Sequence, residues 1–303
     1  MSGLVIIEAA INGTTQKAMN PYVPVTEDEI VADALACFEA GAAIVHHHIT
    51  DYNLSGEEAA EVYLGIWRRV LAERPDALWY PTINLGPPAQ WYDHLPPLAA
   101  SGLLRMGVSD PGSVNMGVAI NGLPTGAFVY SNTFDDIAHQ LELCRTHRLG
   151  PSLAIYEPGF LRTVLAYHDR GQLPAGSFLK LYFSSPRGLS GTAFGLPPSR
   201  TALAAYAELL DGTGLPWAAS AVGDDLGRSE LCRAALEAGG HLHVGLEFYA
   251  GPRTPTNVEL VAEAVDAVAA AGRQIATSTE AAALLGLPRQ AVESAATGDH
   301  HVR

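Results

Sequence analysis

Three consecutive histidines, His46–His48, follow the apolar run Ala40–Val45. A run of this length and composition is typical of a buried β-strand, whose side chains point alternately to its two faces. His46 and His48 then share one face, and His47 takes the other. Two imidazoles spaced in this way can bind one metal ion, and imidazole nitrogen suits zinc. By itself the motif is equally consistent with a polar strand end whose histidines bond to the backbone or to water.

The elements that must position these histidines alternate between short apolar runs and longer segments with helical spacing. Eight runs predict strands, at 4–10, 42–49, 77–83, 102–108, 152–157, 177–184, 215–222 and 241–248. Helices are predicted at 26–41, 57–74, 134–147, 160–170, 199–211, 227–238 and 257–271. The Gly- and Pro-rich segment 109–133 is predicted to be irregular, with a short extra strand at 126–131.

Eight strand-then-helix units favour a parallel sheet closed into a (β/α)8 TIM barrel, an α/β fold. An open doubly wound sheet is disfavoured, because no G-x-G-x-x-G follows the first strand at Ala10–Gly13. We expect a single catalytic domain over residues 1–288. Residues 289–303 are expected to form a disordered polar tail.

Barrel closure gives the histidines a third partner. The eighth predicted strand ends near Glu247, and closure places that strand beside the first, which lies beside the second. Because active sites of such barrels lie at the carboxyl ends of the strands, Glu247 can approach His46 and His48. Two histidines and one glutamate form a catalytic zinc set that leaves a coordination position open. The alternative for Glu247 is a salt bridge with a neighbouring arginine such as Arg253.

Composition narrows the class of protein. The 303 residues carry a formal charge of −14, so binding of nucleic acid through phosphate neutralisation is not expected. No basic start with an apolar core marks a signal peptide, and the apolar runs are too short to span a membrane. The three cysteines show no C-x-x-C spacing, which is typical of free thiols in a reducing compartment. We therefore expect a cytoplasmic protein.

An ordered set of segments resembles one known family, the β-keto acid cleavage enzymes, from about residue 4 to 287. The segments that carry the resemblance are NPYVPVTEDEI (20–30), AGAAIVHHHITD (40–51), YPTINLG (80–86), SDPGSVN (109–115), GGHLHVGLE (239–247), NVELV (257–261) and GRQIAT (272–277). The resemblance implies a (β/α)8 barrel with one Zn2+ on His46, His48 and Glu247. It also implies that a β-keto acid reacts with acetyl-CoA to give acetoacetate and a new acyl-CoA. Members are often homo-oligomers, so a dimer or tetramer is expected.

The same resemblance assigns further site residues. Thr82 stands where the family has a serine after a proline, and it keeps the hydroxyl as a catalytic group. Asn84, Ser113 and Asn115 are expected to bind substrate, with Ser113 standing where the family has a threonine.

Several catalytic positions depart from the family. His243 stands in place of an arginine, Phe248 in place of an aspartate and Ala154 in place of another acid, and the acid after the first strand is absent. His243 is a candidate proton-transfer group because its pKa ordinarily lies near neutrality, or else a core histidine bonded to the backbone. Glu8 is a candidate to hydrogen-bond a zinc-bound histidine, or else a member of a deeper ion pair.

These departures leave two other functions open. One is a zinc-dependent lyase or hydrolase that acts on a different carbonyl compound without CoA. The other is a non-catalytic metal-binding barrel that acts as a sensor or an assembly component.

Overall fold

The computed structural model describes residues 3–84, 90–189 and 191–288. The described strands are β1 (Leu4–Val5), β2 (Ile7–Ala10), β3 (Ile44–His47), β4 (Leu78–Pro81), β5 (Met106–Ser109), β6 (Val114–Ile120), β7 (Leu123–Tyr130), β8 (Gly150–Ile155), β9 (Phe178–Ser184), β10 (Trp217–Val222), β11 (His241–Val244) and β12 (Gln274–Ile275). The described α-helices are α1 (Glu27–Ala40), α2 (Gly56–Glu73), α3 (Leu95–Ala100), α4 (Phe134–Thr146), α5 (Pro158–His168), α6 (Arg200–Leu210), α7 (Glu230–Glu237), α8 (Asn257–Ala270) and α9 (Ser278–Leu285).

Eight parallel strands form one sheet in the order β4-β3-β2-β11-β10-β9-β8-β5. Within the described ranges, hydrogen-bonded ladders join every neighbouring pair in this order, and β4 packs against β5 where the sheet comes round on itself. The helices cover its outer face, so the predicted (β/α)8 barrel is confirmed. Closure places β11 beside β2 and β2 beside β3, as predicted from the sequence.

The first helix illustrates how local sequence sets an element. The Thr26 hydroxyl accepts a hydrogen bond from the Glu29 backbone N–H, and the Glu29 carboxylate accepts one from the Thr26 backbone N–H, which completes a capping box. The helix ends at Gly41, whose φ of 117° is open to glycine and costly for other residues. Its buried face packs against β3 and holds the histidine strand in place.

The segment 109–133 differs from the sequence-based prediction. It contains a complete antiparallel hairpin, β6 and β7, where only a short strand at 126–131 was predicted. A two-residue turn joins the strands at Asn121-Gly122, and both residues have positive φ, 53° and 76°. Asn-Gly is the typical sequence of this turn because both residues tolerate that conformation. Helix α3 and strand β12 were also not predicted.

None of the helices in the described parts of the chain is both long enough and apolar enough to cross a bilayer. The predicted polar tail, 289–303, lies outside the described residues.

A charged cluster fills the barrel interior below the strand ends. The Lys180 ammonium lies 2.7 Å from a Glu8 carboxylate oxygen, and neither side chain is accessible to solvent. Tyr80 donates a hydrogen bond to the same carboxylate, and the His243 imidazole lies 3.3 Å from it. Although burial raises the pKa of Glu8, the charges of Lys180 and His243 outweigh that effect and hold the pKa at about 2. The cluster therefore links β2, β4, β9 and β11.

We expect Lys180→Met to destabilise the protein by about 3–5 kcal/mol, because it leaves the buried Glu8 carboxylate without its cation. Guanidinium unfolding followed by circular dichroism measures the change. The double variant Lys180→Met/Glu8→Gln removes both charges and should recover most of the lost free energy. Equal stability of the single variant and the parent protein would show that the ion pair does not stabilise the barrel.

Candidate metal centre and active-site cavity

Three groups able to hold a metal ion converge at the carboxyl ends of the strands. His46 ends β3 with His47, His48 follows directly, and Glu247 lies three residues beyond the end of β11. The Glu247 carboxylate oxygens lie 3.4 Å from Nε2 of His46 and 3.2 Å from Nε2 of His48. The candidate ligand atoms all lie within 4.8 Å of one another. The structure thus brings together the three residues that the sequence singled out, although they are distant along the chain.

Two glycines allow Glu247 to reach this position. Gly245 has a φ of 132°, and a Cβ there would lie 2.1 Å from the Ala10 carbonyl oxygen. Gly13, with a φ of 54°, packs so closely that a Cβ would lie 2.2 Å from Cγ of Glu247. The Glu247 backbone then donates a hydrogen bond to Ala10 at the end of β2. The loops after β2 and β11 therefore fit together only with glycine at these two positions.

A hydrogen bond orients the His46 ring so that its Nε2 faces Glu247. Nδ1 of His46 lies 3.1 Å from the Tyr80 carbonyl, which can only accept, so Nδ1 carries the proton and Nε2 presents a lone pair. His47 points to the opposite side of β3, where its Nε2 accepts a hydrogen bond from the Trp67 indole. The alternation predicted along the strand is therefore present.

The electrostatics of the triad favour a cation between its members. Burial lowers the pKa of His46 to about 4, so its imidazole is neutral at pH 7. Burial raises the pKa of Glu247, but the neighbouring imidazoles His48 and His46 outweigh this and hold it at about 2. A lone pair on Nε2 of His46 then faces a carboxylate oxygen, Oε2, that has no hydrogen-bond partner. Two acceptors this close are repulsive unless a positive ion lies between them, and the donor set suits zinc.

The triad forms one side of a cavity of about 210 Å³ that opens at the mouth of the barrel. This volume lies below the range of about 300–1,000 Å³ that is typical of drug-sized ligands, and it fits a small metabolite. Apolar and aromatic side chains line most of it: Tyr52, Tyr80, Ile83, Trp91, Val108, Met116, Phe128, Tyr130, Ala154, Tyr156, Tyr182, Leu189 and Phe248. The polar lining residues beside the triad are Thr14, Thr82, Asp110 and Ser152.

The two predicted residues that follow β4 have different surroundings. Thr82 lines the cavity, as a substrate-binding hydroxyl would require. Asn84 does not line it. Its amide donates to the Asp93 carboxylate and the Gln90 carbonyl, 3.0 Å and 3.2 Å away, and it contacts His94. These contacts tie the amide nitrogen to residues 90–94, and the binding of substrate by Asn84 stays a prediction.

Ser113 and Asn115 also lie outside the cavity. The Ser113 hydroxyl donates to the Asn132 carbonyl and accepts from the Asn132 backbone, which ties the two ends of the hairpin together. Asn115 is exposed on β6 opposite Val129. Ser113 therefore holds the base of the hairpin, and Met116 of strand β6 lines the cavity. The binding of substrate by Ser113 and Asn115 stays a prediction.

Glu8 and His243 lie below the cavity and do not line it. Glu8 contacts neither metal-ligand imidazole, because Nδ1 of His46 is bonded to Tyr80 and Nδ1 of His48 has no partner. The expected hydrogen bond from Glu8 to a zinc-bound histidine is therefore absent, and the deeper ion pair is the arrangement observed. His243 is 2% exposed, and the rings of Tyr182 and Phe248 lie over it, each 5.7 Å from its centroid.

Asp110 is a cavity residue that we did not single out from the sequence, because Asp-Pro-Gly is typical of a turn. It follows β5, is 6% exposed and accepts a hydrogen bond from the Tyr130 hydroxyl. Burial raises its pKa to about 6, against the opposing effect of the Tyr130 hydrogen bond. Its position at the end of a strand could have identified Asp110, because His48 was identified in the same way. Arg253, the alternative partner of Glu247, instead pairs with Asp225 and Glu263.

Two of the positions that depart from the family, Ala154 and Phe248, line the cavity. Ala154 on β8 and Phe248 after Glu247 both face it, although neither can transfer a proton. The acids expected there are therefore absent from the site itself. Among the described lining residues, Asp110 and Glu247 are the carboxylates that remain.

Comparison with known proteins agrees with this geometry. The profile of the β-keto acid cleavage enzymes matches residues 4–287. The chain is 24% identical to a 3-oxoadipate:acetyl-CoA acetyltransferase of Cupriavidus necator, over 95% of this chain and 96% of that protein. It is also 24% identical to a 3-keto-5-aminohexanoate cleavage enzyme of Fusobacterium nucleatum, over 95% of this chain and all (100%) of the relative.

Solved structures share the fold at lower identity. ObcA in its binary complex with oxaloacetate matches with a TM-score of 0.64 and 16% identity, covering 88% of this chain and 68% of that one. A phospho-2-dehydro-3-deoxyheptonate aldolase of Thermotoga maritima matches with a TM-score of 0.53 and 15% identity, covering 90% and 71%. With a family profile that spans nearly the whole sequence, the chain belongs to the β-keto acid cleavage enzyme family.

Proposed function

We propose that the protein is a zinc-dependent acyltransferase that cleaves a β-keto acid with acetyl-CoA, giving acetoacetate and an acyl-CoA. The observation that carries the proposal is the triad of His46, His48 and Glu247 on one side of a small cavity at the strand ends. The named relatives, which include acetyl-CoA-dependent transferases, support the reaction class. The three free, buried cysteines fit our proposal that the protein acts in the reducing cytoplasm.

The chain's own residues bind and orient the keto acid. Zinc would be held by His46, His48 and Glu247, and when bound it polarises the oxygens of the keto acid. Thr82 offers a hydroxyl from the end of β4 to a substrate oxygen. The aromatic lining excludes water, which strengthens these polar contacts and protects the acyl group from hydrolysis.

Proton transfer requires a group in the cavity, and we assign it to Asp110. Our sequence-based candidate, His243, is covered by Tyr182 and Phe248 and is engaged with Glu8. Asp110 lines the cavity, and its pKa of about 6 leaves it mostly ionised at neutral pH while keeping it an effective base. It would accept a proton from C2 of the keto acid, and the C–H electron pair would then attack the thioester carbon of acetyl-CoA, which releases the CoA thiolate. Addition of that thiolate to the original ketone carbon and cleavage of the bond between this carbon and C2 would give the acyl-CoA and, once Asp110 returns the proton to C2, acetoacetate.

The acids and the arginine of the family are replaced in this chain. Their loss favours a second candidate function, that of a zinc-dependent lyase or hydrolase that uses no CoA. Loss of an arginine removes a planar, bidentate partner for carboxylate or phosphate, which His243 does not replace. The two candidates share the metal site and differ in whether acetyl-CoA enters the products.

We also propose that the protein forms a homo-oligomer, a dimer or tetramer, through the β6–β7 hairpin. Five of its apolar side chains are between 45% and 67% exposed: Val118, Ile120, Leu123, Phe128 and Val129. Residues 114–130 contain no charged residue, in a chain whose formal charge is −14. Two copies with the same large negative charge repel least where they present such an uncharged apolar surface.

Metal analysis tests the ligand assignment. We expect purified protein to hold close to one zinc per chain, and His46→Ala and Glu247→Ala to lose most of it. His47→Gln is the matched control, because it changes the neighbouring imidazole on the opposite face of β3 and should keep the zinc. Retention of zinc in both alanine variants would show that the ligands lie elsewhere.

Product analysis tests the reaction. With a panel of β-keto acids and acetyl-CoA, we expect mass spectrometry to detect acetoacetate and the matching acyl-CoA. Asp110→Asn should lower kcat on the order of 100-fold while keeping the zinc, because it removes the base. Turnover that consumes keto acid but not acetyl-CoA would favour the lyase or hydrolase. No turnover of any panel member would indicate a non-catalytic barrel.

Light scattering coupled to size exclusion tests the assembly. We expect a mass of two or four chains for the parent protein and a smaller mass for Ile120→Glu/Leu123→Glu, which places charges on the exposed hairpin. The control Thr125→Glu adds a charge to the same strand at a polar position. A monomeric parent protein would contradict the proposal.

A further inference from the structure

The two sides of the barrel mouth offer a substrate different chemistry. The metal ligands come from β3 and from the loop after β11, which lie close together in the sheet. The other side of the cavity is formed by β5, β8, β9 and the hairpin. A β-keto acid whose oxygens face the metal ligands therefore extends its distal group, the part beyond the ketone, towards that second side.

The second side is an apolar and aromatic wall. Its members are Val108, Met116, Phe128, Tyr130, Ala154, Tyr156, Tyr182 and Leu189. The rings of Tyr130, Tyr156 and Tyr182 pack on one another, with centroids of Tyr156 and Tyr182 5.0 Å apart and those of Tyr130 and Tyr156 6.4 Å apart. Such mutual packing gives the wall a fixed shape and little capacity to rearrange around a hydrated charge.

No lysine or arginine is among the described residues that line the cavity. Lys180 lies on β9 next to the wall, but it is fully buried below the cavity and paired with Glu8. Arg187, in the loop after β9, lies 3.7 Å from Asp224 outside the cavity. A second carboxylate on a substrate would therefore enter the wall without a cation to pair with.

The charges that the cavity does contain are negative and already engaged. Asp110 accepts a hydrogen bond from the Tyr130 hydroxyl, and Glu247 faces the two imidazoles. An anionic distal group would be repelled by Asp110, and a cationic one would have to give up its hydration against the apolar wall. Apart from these carboxylates, the wall offers hydrocarbon and aromatic surface with the uncharged hydroxyls of its tyrosines.

We infer that the keto acid taken by this site is a monocarboxylate whose distal group is uncharged and apolar, a branched-chain or aromatic acyl group. The inference rests on the proposed function and adds the substrate class. It separates this chain from its relative that acts on 3-oxoadipate, whose substrate carries a second carboxylate.

The test uses substrates matched in shape that differ in charge. 3-Oxoadipate is compared with 6-methyl-3-oxoheptanoate, in which an isopropyl group replaces the distal carboxylate. Binding to the zinc-loaded protein is measured by calorimetry without acetyl-CoA, and acyl-CoA formation is measured separately. We expect the neutral acid to bind on the order of 100-fold more tightly, because a buried unpaired carboxylate is costly. Equal affinity, tighter binding of 3-oxoadipate, or failure of both acids to bind would overturn the inference.

A second pair tests a positive distal group. 4-(Trimethylammonio)-3-oxobutanoate is compared with its tert-butyl isostere, 5,5-dimethyl-3-oxohexanoate. We expect the neutral acid to bind more tightly. A preference for the cation would overturn the inference and make Asp110 with its aromatic neighbours a cation site.

A gain-of-function variant tests the missing cation directly. Met116→Lys places an ammonium on the half-buried face of β6, and it should improve binding of 3-oxoadipate relative to its neutral isostere by about tenfold. Met116→Gln is the matched uncharged control and should leave the ratio unchanged, and equal ratios in both variants would count against the inference. Because binding is measured without acetyl-CoA, a preference for the neutral acid without turnover would reject the acyl transfer and keep the specificity.

Discussion

The repulsion between an imidazole lone pair and a carboxylate oxygen is the constraint on which the site depends. His46 is held with its proton towards the Tyr80 carbonyl, so its other nitrogen faces Glu247 as an acceptor. The barrel brings these groups together at the strand ends, and the glycines at 13 and 245 remove the side chains that would keep them apart. A cation bound between these acceptors offsets their repulsion and stabilises this part of the fold. The cavity, its lining and the proposed chemistry are arranged around that junction.

Below the junction, the barrel interior contains a second concentration of charge that serves a different purpose. Lys180, Glu8 and His243 pair with one another and are covered by aromatic rings, so they bind the strands together and offer nothing to a ligand. This explains why a polar residue on an interior strand face is a poor guide to catalysis. The role of an inward-facing residue depends on its position along the strand. Residues at the carboxyl ends of the strands face the cavity, whereas residues one or two inward-facing positions earlier face one another.

Sequence patterns were sufficient to predict the fold and the convergence of His46, His48 and Glu247. Alternation along one strand separated His46 and His48 from His47, and barrel closure brought in Glu247, because both rules follow from backbone geometry alone. The same reasoning could not foresee the contacts of Asn84 and Ser113 with the neighbouring loop and hairpin, which no periodicity encodes, or the exposed position of Asn115 on β6. It also did not identify Asp110, because the sequence Asp-Pro-Gly is the same whether the aspartate only forms a turn or also lines a cavity. The depth of Glu8 and His243 depended on the register between β2 and β11, which became known only with the structure.

X-ray absorption at the zinc edge of the zinc-loaded protein tests the central claim most directly. The account predicts a first shell of nitrogen and oxygen at about 2.0–2.2 Å, with the outer-shell scattering of two imidazoles. A sulfur ligand at about 2.3 Å, or scattering from one imidazole or none, would contradict it.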